Sequence, residues 1–389
     1  MLPPSVLDMR LLHTSDWHIG RTFHGHDLLA DQEFMLSALA DLVVEHRVDV
    51  VVIAGDIYDR AVPSAEAVQV ATRGMQRIRG AGAVIVASSG NHDSAPRLGA
   101  FTDFLAAGGL HLRTSLAGLA DPVLLADEHG PVAIYALPYL EPEIAKSVLG
   151  ITGRPGHQAV MAAAMGRVRA DLATRPAGTR SVVAAHAFVV GGVAGGSERS
   201  IASGGVESVT ADLFAGIDYV ALGHLHGAQS LQPRLRYSGS PLPYSFTEAA
   251  HRKGAWLIDI GPDGGLTDRW LELPVVRPLA VLTGSLAQVL IGNFEHLDSY
   301  LAVVLTDPVR PVEPMRRLRE RYPYALTVTW DPGAAQVGGS VAPLVSGAPA
   351  DTDILAAFLL DCRGSAASAA EQVLLDDALA ADRLEEVAG

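Results

Sequence analysis

The sequence predicts a layered α/β fold, and three observations support this prediction. From Leu7 to about Pro274, short apolar runs of strand length alternate with helical stretches at residues 28–46 and 64–79. The run from Val50 to Ile53 is continuously apolar, which is typical of a strand covered on both faces. Most of these runs end in a polar or glycine-containing loop, as strands of α/β proteins do.

The predicted strands recur through the first part of the chain. A long loop follows one of them at residues 189–206, where six glycines stand among small polar residues. Such a loop is either functional or a tolerated surface insertion. The clearest predicted strands cover residues 11–12, 48–54, 83–87, 132–137, 181–185 and 219–222.

The character of the sequence changes near Pro274, which predicts a domain boundary. A small α+β unit follows, with strands near residues 300–305 and 325–330 and a basic helix at 315–321. After a linker rich in Gly, Ala, Ser and Pro, two helices are predicted at 353–361, with Asp353 as N-cap, and 369–387. The predicted domains are therefore residues 9–274, 275–332, 333–350 (linker) and 351–389 (C-terminal helical segment).

The composition limits the class of protein. The chain of 389 residues has a net charge of −14 at pH 7, which argues against a nucleic-acid binder unless bound metals or a partner supply positive charge. Its single cysteine, Cys362, excludes an internal disulfide and fits a reducing cytoplasm. We expect neither a secretory signal nor a membrane-spanning helix. Only two lysines are present, which indicates a codon bias toward arginine.

Five polar segments each follow an apolar strand directly. Because ligands of α/β sheets bind outside the carboxyl ends of the strands, we expect these side chains to converge. Residues two apart in an extended loop can both point inward. The chemically relevant residues, in chain order, are Asp16, His18, Asp56, Asp59, Asn91, His92, Asp93, His186, His224 and His226.

A metal centre explains these segments better than chance. A lone His or Asp at a strand end is usually a cap or a satisfied polar contact, but five such segments in order favour metal binding. Mixed imidazole and carboxylate ligands suit Mn, Fe or Zn better than Ca. Two cations about 3.5–4 Å apart are a common device for phosphoester hydrolysis. Gly55, Gly90 and Gly223, beside the candidate ligands, permit sharp turns and close approach.

The ordered motifs resemble the calcineurin-like metallophosphoesterase superfamily, whose fold is a four-layer α/β/β/α sandwich of sheets flanked by helices. Within it, residues 13–18, 55–60 and 238–245 resemble the SbcD nuclease family most closely. The resemblance implies a hydrolase of ester bonds: a DNA exonuclease or endonuclease that acts in the SbcCD DNA-processing and repair complex. Ala61 stands where protein phosphatases carry glycine, which counts against that branch.

The resemblance also implies a role for each residue of the centre. His92 is then no ligand but assists the leaving oxygen, while Asp59 and Asp93 orient ligands. Two divalent cations are implied, with manganese used most readily and magnesium possible. One is held by Asp16, His18, Asp56 and His226, and the other by Asp56, Asn91, His186 and His224, with Asp56 bridging.

The partners are likewise expectations. The C-terminal helices resemble a segment that docks on an SbcC-type ATPase, although such helices can simply pack on their own core. Double-stranded DNA ends or hairpins are the implied substrates, and a homodimer within a heterotetramer in the cytoplasm, associated with the nucleoid, is the implied assembly. Residues 28–46 and 64–79 are candidate dimer helices. The candidate DNA contacts are Arg310, Arg316, Arg317, Arg319 and Arg321.

Three alternatives stay open at this stage. The basic helix could be a solvated face paired with Glu313 and Glu320. The enzyme could act on a small nucleotide or a cyclic nucleotide, although the extra domain and C-terminal helices are not needed for that. The chain could also be a non-enzymatic scaffold, which the complete set of expected ligands disfavours.

Overall fold

The computed structural model describes residues 8–153, 156–194, 198, 208–292, 294–333 and 365–376. The chain divides into two compact units, residues 1–276 and 277–389, and each is described by itself. Within the described residues, no helix combines the length and apolar character that crossing a bilayer requires.

The first unit alternates strands and helices along its length. Its helices are α1 (Leu29–His46), α2 (Ala65–Gly80), α3 (Ala95–Leu98), α4 (Thr102–Ala107), α5 (Pro142–Leu149) and α6 (His157–Leu172). Its strands are β1 (Met9–Thr14), β2 (Thr22–Phe23), β3 (His26–Asp27), β4 (Val50–Ala54), β5 (Val84–Ser88), β6 (Leu110–Arg113), β7 (Val123–Asp127), β8 (Gly130–Ala136), β9 (Arg180–His186), β10 (Phe188–Val189), β11 (Ser208–Val209), β12 (Tyr219–Gly223), β13 (Gln229–Gln232), β14 (Leu235–Tyr237), β15 (Gly254–Ile260) and β16 (Leu266–Glu272).

Two six-stranded sheets form the centre of this unit. The first has the order β16-β15-β1-β4-β5-β6 and the second the order β13-β14-β12-β9-β8-β7. The inner strands β1, β4 and β5 run parallel, as do β8, β9 and β12, whereas β15, β16, β7 and β13 pair antiparallel at the edges. The predicted layered α/β fold is confirmed.

The two sheets pack face to face through alternating side chains. Val50 and Val52 of β4 join Val182 and Ala184 of β9 in one core between the sheets. Val51 and Ile53 point to the opposite face of β4 and are equally buried, as the continuous apolar run predicted. Full burial of each valine contributes roughly 1.5–3 kcal/mol, so this shared core strongly favours the paired sheets.

Helices cover the outer faces. On the second sheet, α6 contributes Met161 and Met165, and α5 contributes Ala145, to a core with Val183 and Leu222. On the first sheet, α2 contacts β5, and α1 packs against α2. Helix α2 begins where the sequence predicted, because the Ser64 hydroxyl accepts the backbone N–H of Ala67 at 3.2 Å as an N-cap.

A buried histidine ties the two sheets together near their carboxyl edges. Nε2 of His13 in β1 lies 3.1 Å from the carbonyl of Leu222 in β12, and Nδ1 lies 2.9 Å from the Tyr219 hydroxyl. A carbonyl only accepts, so Nε2 carries the proton and Nδ1 accepts from the phenol. Burial lowers the pKa of His13 to about 3, which keeps the ring neutral and this link intact.

The second unit contains a parallel sheet in the order β17-β18-β19. Its strands are β17 (Leu279–Gly284), β18 (Tyr300–Leu305) and β19 (Ala325–Trp330), with α7 (Leu286–Ile291) and α8 (Pro314–Arg321) between them. The sequence predicted β18, β19 and the basic helix in this unit but neither β17 nor α7. Leu301, Val303, Leu318 and Tyr322 form its core.

The predicted linker and C-terminal helices fall largely on residues that are not described. Residues 333 and 365–376 are described, and 369–376 are helical, which lies within the second predicted C-terminal helix. The first, at residues 353–361, lies outside the described part of the chain.

Candidate metal centre

The five polar segments of the sequence converge at one edge of the paired sheets. Three follow β1, β4 and β5 of the first sheet, and two follow β9 and β12 of the second. The carboxyl ends of these parallel strands meet there because both sheets are tied together at His13. Six of the seven predicted ligands are almost fully buried, and Asn91 is half-buried.

The backbone is strained at four of these residues. Asp16, His18, Asp56 and His224 have φ values of 53°, 45°, 51° and 104°, in the region that L residues rarely adopt. Each such residue costs about 1–3 kcal/mol and persists only when its surroundings enforce it. Here the loops after β1 and β4 enforce it, since the amides of Asp16 and His18 donate to the carbonyls of Gly55 and Asp56 at 3.1 and 3.0 Å.

One carboxylate oxygen occupies the middle of the centre. Oδ2 of Asp56 lies 3.5 Å from Nε2 of His18 on one side and 3.4 Å from Nε2 of His186 on the other. Burial opposes ionisation of Asp56, but the charge of His186 and hydrogen bonding to that ring hold the pKa of Asp56 well below its usual range. A permanently ionised oxygen between two imidazoles can bridge two cations.

Two groups of donors surround this oxygen. In each group, ligand atoms from three residues lie within 4.8 Å of one another. Asp16 is in both groups, so its carboxylate lies close to the imidazoles on both sides of Asp56. The first group is Asp16, His18 and His226, and the second is Asp16, Asp56 and His186.

The donor chemistry fits divalent cations. Nδ1 of His186 donates to the carbonyl of Ala54 at 2.9 Å, so Nε2 faces only acceptors: Oδ1 of Asn91 at 2.8 Å and Oδ2 of Asp56. Burial disfavours the charged ring, yet Asp56 raises the pKa of His186 to about 9. Two acceptor oxygens that face the same ring nitrogen require a cation there, either a proton or a metal ion.

The backbone amide of His224 holds the carboxylate of Asp16 in place. The amide of His224 donates to Oδ1 and Oδ2 of Asp16 at 3.0 and 3.1 Å, and the Ser15 hydroxyl also donates to Asp16. Burial, with the charge of Asp56, raises the pKa of Asp16 to about 6. Burial and the charge of His186 lower the pKa of His224 to about 3, so that ring is a neutral donor.

His92 faces the centre from its rim. Its Nδ1 donates to the carbonyl of Asp59 at 2.8 Å, which turns Nε2 toward Oδ2 of Asp56 at 3.9 Å. Its backbone amide donates to Oδ1 of Asp56 at 2.9 Å. Side-chain atoms of His92 also lie near His18 and Asp59 in a third group of potential donors. The ring is therefore placed to reach a substrate held at Asp56.

The two carboxylates predicted to orient ligands act in different ways. Oδ1 of Asp59 lies 3.5 Å from Nδ1 of His18, on the side of that ring away from the centre. Asp93 touches no ligand side chain through its hydrogen bonds. Instead it accepts the backbone amides of Ile57, Tyr58 and Gly90 at 3.1, 2.9 and 2.9 Å, which joins the loops after β4 and β5.

All three predicted glycines are required by space. A Cβ at Gly90 would lie 2.1 Å from Oδ1 of Asp56, one at Gly223 would lie 1.9 Å from the carbonyl of Ala54, and one at Gly55 would lie 2.4 Å from Nδ1 of His186. These neighbours cannot retreat freely, because Asp56 accepts the amide of His92 and the Ala54 carbonyl accepts Nδ1 of His186. The absence of side chains here allows the loops from the two sheets to approach closely.

Sequence reasoning missed several residues that support the centre. Gln32, buried in α1, donates to the carbonyl of His18 at 2.8 Å and accepts the amide of Gly20 at 2.9 Å. Tyr244 donates to the carbonyl of Trp17. Gln32 could have been noticed in the sequence, because it is a polar residue on the apolar face of the predicted helix at residues 28–46. The other missed residues are Glu198, Glu248 and Lys253, which surround His226.

The candidate DNA-contact arginines on α8 are mostly engaged within their own unit. Arg316 pairs with Glu313 and Glu320 at 2.8 and 2.7 Å, as expected for a solvated helix face. Arg319 and Arg321 donate to backbone carbonyls at 3.1 and 3.2 Å. Arg317 is exposed, and its side chain has no ion pair within the described part of the chain.

Two solved structures are similar to this chain at low identity. TT1561 of Thermus thermophilus is 12% identical, with a TM-score of 0.39, and the match covers 68% of this chain and 99% of that one. GAP50, the anchor in the inner membrane complex of Plasmodium, is 10% identical, with a TM-score of 0.38, over 86% of this chain and 100% of its own. Likenesses this low carry no argument about activity.

A family model gives the stronger result. Residues 9–228 match the model described as calcineurin-like phosphoesterase. That segment is more than half of the chain and contains all five metal-binding segments. The chain therefore belongs to the calcineurin-like phosphoesterase family.

Proposed function

We propose that this phosphoesterase is a two-metal DNA nuclease of the SbcD family. The observation that carries the proposal is the position of Asp56 Oδ2, 3.5 Å from Nε2 of His18 and 3.4 Å from Nε2 of His186. One ionised oxygen between two imidazoles supports a pair of cations rather than a single one.

The residues around Asp56 would hold the cations. Manganese is the proposed metal, because mixed imidazole and carboxylate donors suit it. When bound, the two cations neutralise the phosphate and lower the pKa of water enough for attack on phosphorus near neutral pH. Asp16, His18 and His226 would hold one cation with Asp56, and Asn91, His186 and His224 would hold the other with Asp56.

His92 supplies the proton for the leaving group in this proposal. Its Nδ1 is committed to the carbonyl of Asp59, so Nε2 is the nitrogen that faces the centre. A proton at Nε2 can pass to the sugar oxygen as the phosphorus–oxygen bond breaks. Since the ring is 7% exposed, bulk water has little access to compete for that proton.

The SbcD assignment is supported by the segment at residues 238–245. It was part of the sequence resemblance, and it packs directly beneath the first metal-binding motif: the Ser238 hydroxyl lies 2.8 Å from that of Ser15, and Tyr244 donates to the carbonyl of Trp17. The C-terminal segment is the proposed binding site for an SbcC-type ATPase, and that partner would offset the net charge of −14 when DNA binds.

A manganese-dependent cleavage assay tests the proposal. The full chain, alone and with a co-expressed SbcC-type ATPase, is given blunt, hairpin and single-stranded DNA, and a parallel reaction contains a cyclic nucleotide. We expect DNA cleavage that requires manganese, disappears in Asp56→Asn and increases with the ATPase. Hydrolysis of the cyclic nucleotide with all DNA left intact would instead establish a small-molecule phosphodiesterase and overturn the proposal.

A further inference from the structure

A buried lysine lies directly behind His226. Lys253 is 10% exposed, and its ammonium donates to the carbonyl of His226 at 2.8 Å, to the Ser240 hydroxyl at 2.9 Å and to Oε2 of Glu248 at 2.5 Å. An ammonium has three protons, so these three acceptors use all of them. One of the three is the backbone of a residue of the metal centre.

The partner carboxylate faces the same histidine from its outer side. Oε1 of Glu248, a fully buried side chain, lies 3.7 Å from Nδ1 of His226. This distance is longer than a hydrogen bond but short for a charge acting on a buried ring. Nε2 of His226 points the opposite way, to Nε2 of His18 at 3.1 Å. The carboxylate therefore lies on the far side of the ring from the centre.

The type of residue at position 253 is unusual for this chain. Only two of its 29 basic residues are lysines. Lysine presents its three protons in a compact tetrahedral group, whereas arginine presents a planar fork on a longer stem. The three acceptors around Lys253 come from different segments, namely His226, Ser240 and Glu248. A compact cation suits that arrangement, and a guanidinium does not.

Stability alone does not account for the pair. Buried ion pairs are often no more stabilising than well-packed apolar residues of similar volume, because both charges lose their hydration. A carboxylate behind a metal-binding imidazole, in contrast, fixes the ring and raises its basicity, and removing such a group commonly costs about 10–100-fold in metal affinity. Glu248 lies in that position relative to His226.

We propose that the Glu248–Lys253 pair is a positioning device for His226: Lys253 fixes its backbone, and Glu248 fixes its ring so that Nε2 is presented to a divalent cation. This inference rests on the proposed function for the identity of the bound cation. The pair also contacts Ser240 and the amide of Tyr244, whose ring packs against His226. Its contact with the centre is through the backbone and ring of His226, so we expect cation affinity to report its effect.

Manganese affinity, measured by competition with a fluorescent chelator in the absence of DNA, tests this inference. We expect Glu248→Gln and Lys253→Met each to weaken manganese binding by about tenfold or more. Lys253→Arg retains the charge but cannot satisfy the three acceptors in the same geometry, so we expect manganese affinity to stay low in this variant as well. A purely structural pair would show the reverse, with stability lost and affinity unchanged.

The matched control is the buried pair Asp127–Arg180, at the opposite end of β9 from His186. Asp127→Asn is expected to lower thermal stability and leave manganese affinity at the wild-type value. Equal affinity in wild type, Glu248→Gln and Lys253→Met overturns the inference. If a single variant fails to fold, the double variant Glu248→Gln with Lys253→Met removes both charges, and wild-type affinity in that protein overturns it equally.

DNA cleavage by the wild-type protein is measured separately. Wild type that binds manganese but leaves DNA intact refutes the proposed nuclease, while the affinity comparison still decides the role of Glu248 and Lys253. If the wild-type protein binds manganese and cleaves DNA, but the Glu248 and Lys253 variants bind manganese with unchanged affinity, only the positioning role is refuted. Wild type that binds no manganese refutes both.

Discussion

Nε2 of His18 and Nε2 of His226 lie 3.1 Å apart and face each other in a buried site. Burial lowers the pKa of both rings, so neither carries a second proton near neutral pH. At least one of the two nitrogens therefore offers its lone pair to the space between them. A cation bound there is coordinated by rings that come from different sheets.

Manganese affinity should rise with pH. The proton on Nε2 of His186 must leave before a metal ion can bind, and the pKa of that ring is raised to about 9. Competition titrations are expected to show affinity rising by about tenfold per pH unit between about pH 6.5 and 9. His111→Gln, a change in β6 on a half-buried ring, should show the same slope. A flat profile contradicts this assignment of the proton.

The metal-free protein should show the opposite trend in stability. Because the folded pKa of His186 lies above its unfolded value of 6.5, the protonated ring stabilises the fold fully below about pH 6.5. This contribution is lost as pH rises toward 9. Chemical denaturation in the presence of a chelator should therefore give a free energy of unfolding that decreases between about pH 6.5 and 9. In His186→Gln, the part of this decrease that comes from His186 should be absent.

Replacing the bridging carboxylate should remove metal and activity together. Asp56→Asn loses the charge between His18 and His186, so metal analysis of the purified protein should show loss at both positions. Hydrolysis should decrease by at least about 100-fold. The control Asp263→Asn changes an exposed carboxylate in a turn and should retain metal and rate. Full metal content in Asp56→Asn would exclude a bridging role.

His92 should affect the rate but not metal content. His92→Gln removes the proton donor, and we expect a rate loss of about 100- to 10,000-fold on DNA with manganese still bound. With bis-p-nitrophenyl phosphate, whose leaving group needs no proton, the loss should be much smaller. An equal loss on both substrates would show that His92 does not protonate the leaving oxygen.

Gly90 should tolerate no side chain. In Gly90→Ala the new Cβ would lie 2.1 Å from Oδ1 of Asp56, so we expect the protein to lose about 1–3 kcal/mol of stability together with metal binding. Gly166→Ala makes the same change inside α6, where a Cβ meets open space, and should stabilise the protein by about 0.5–1 kcal/mol. Urea denaturation measures both. Similar effects at the two positions would contradict the close approach at Gly90.

Arg317 should matter more than Arg316 if α8 contacts DNA. Arg316 is already paired with Glu313 and Glu320, whereas Arg317 is exposed. Arg317→Ala should therefore weaken binding uniformly across sequences and reduce the slope of log affinity against log salt by about 1, and Arg316→Ala should change it less. Fluorescence anisotropy across a salt series measures this. Unchanged binding in Arg317→Ala would leave α8 as a solvated surface.

The sequence predicted the fold class, the inner strands and the superfamily because those properties are local or ordered along the chain. The continuous apolar run of β4, for example, lies within a single strand. The five polar segments were recognised by their order along the chain, and the family match, which spans all of them, confirms the superfamily resemblance. The SbcD branch, the metal ligand set, the DNA contacts and the ATPase partner stay predictions.

The missed features depend on contacts between distant residues. Lys253 looked like a rare lysine in an arginine-rich chain, and only the fold brings it to the carbonyl of His226. Gln32 lies in a correctly predicted helix, but no pattern shows that it holds the His18 loop. Asp93 was predicted to orient ligands, and only the fold shows that its contacts are to backbone amides of the loops after β4 and β5. Such roles arise from packing between sheets, which periodicity does not encode.

Because the candidate ligands are divided between two sheets, they become available at different stages of synthesis of the chain. Asp16, Asp56 and Asn91 leave the ribosome long before His186 and His226 exist. A nascent or truncated chain that stops before β9 carries four of the seven candidate ligands and lacks His186, His224 and His226. We therefore expect such a fragment to hold no metal pair and to hydrolyse nothing until the second sheet forms and the contact between His13 and Leu222 is made.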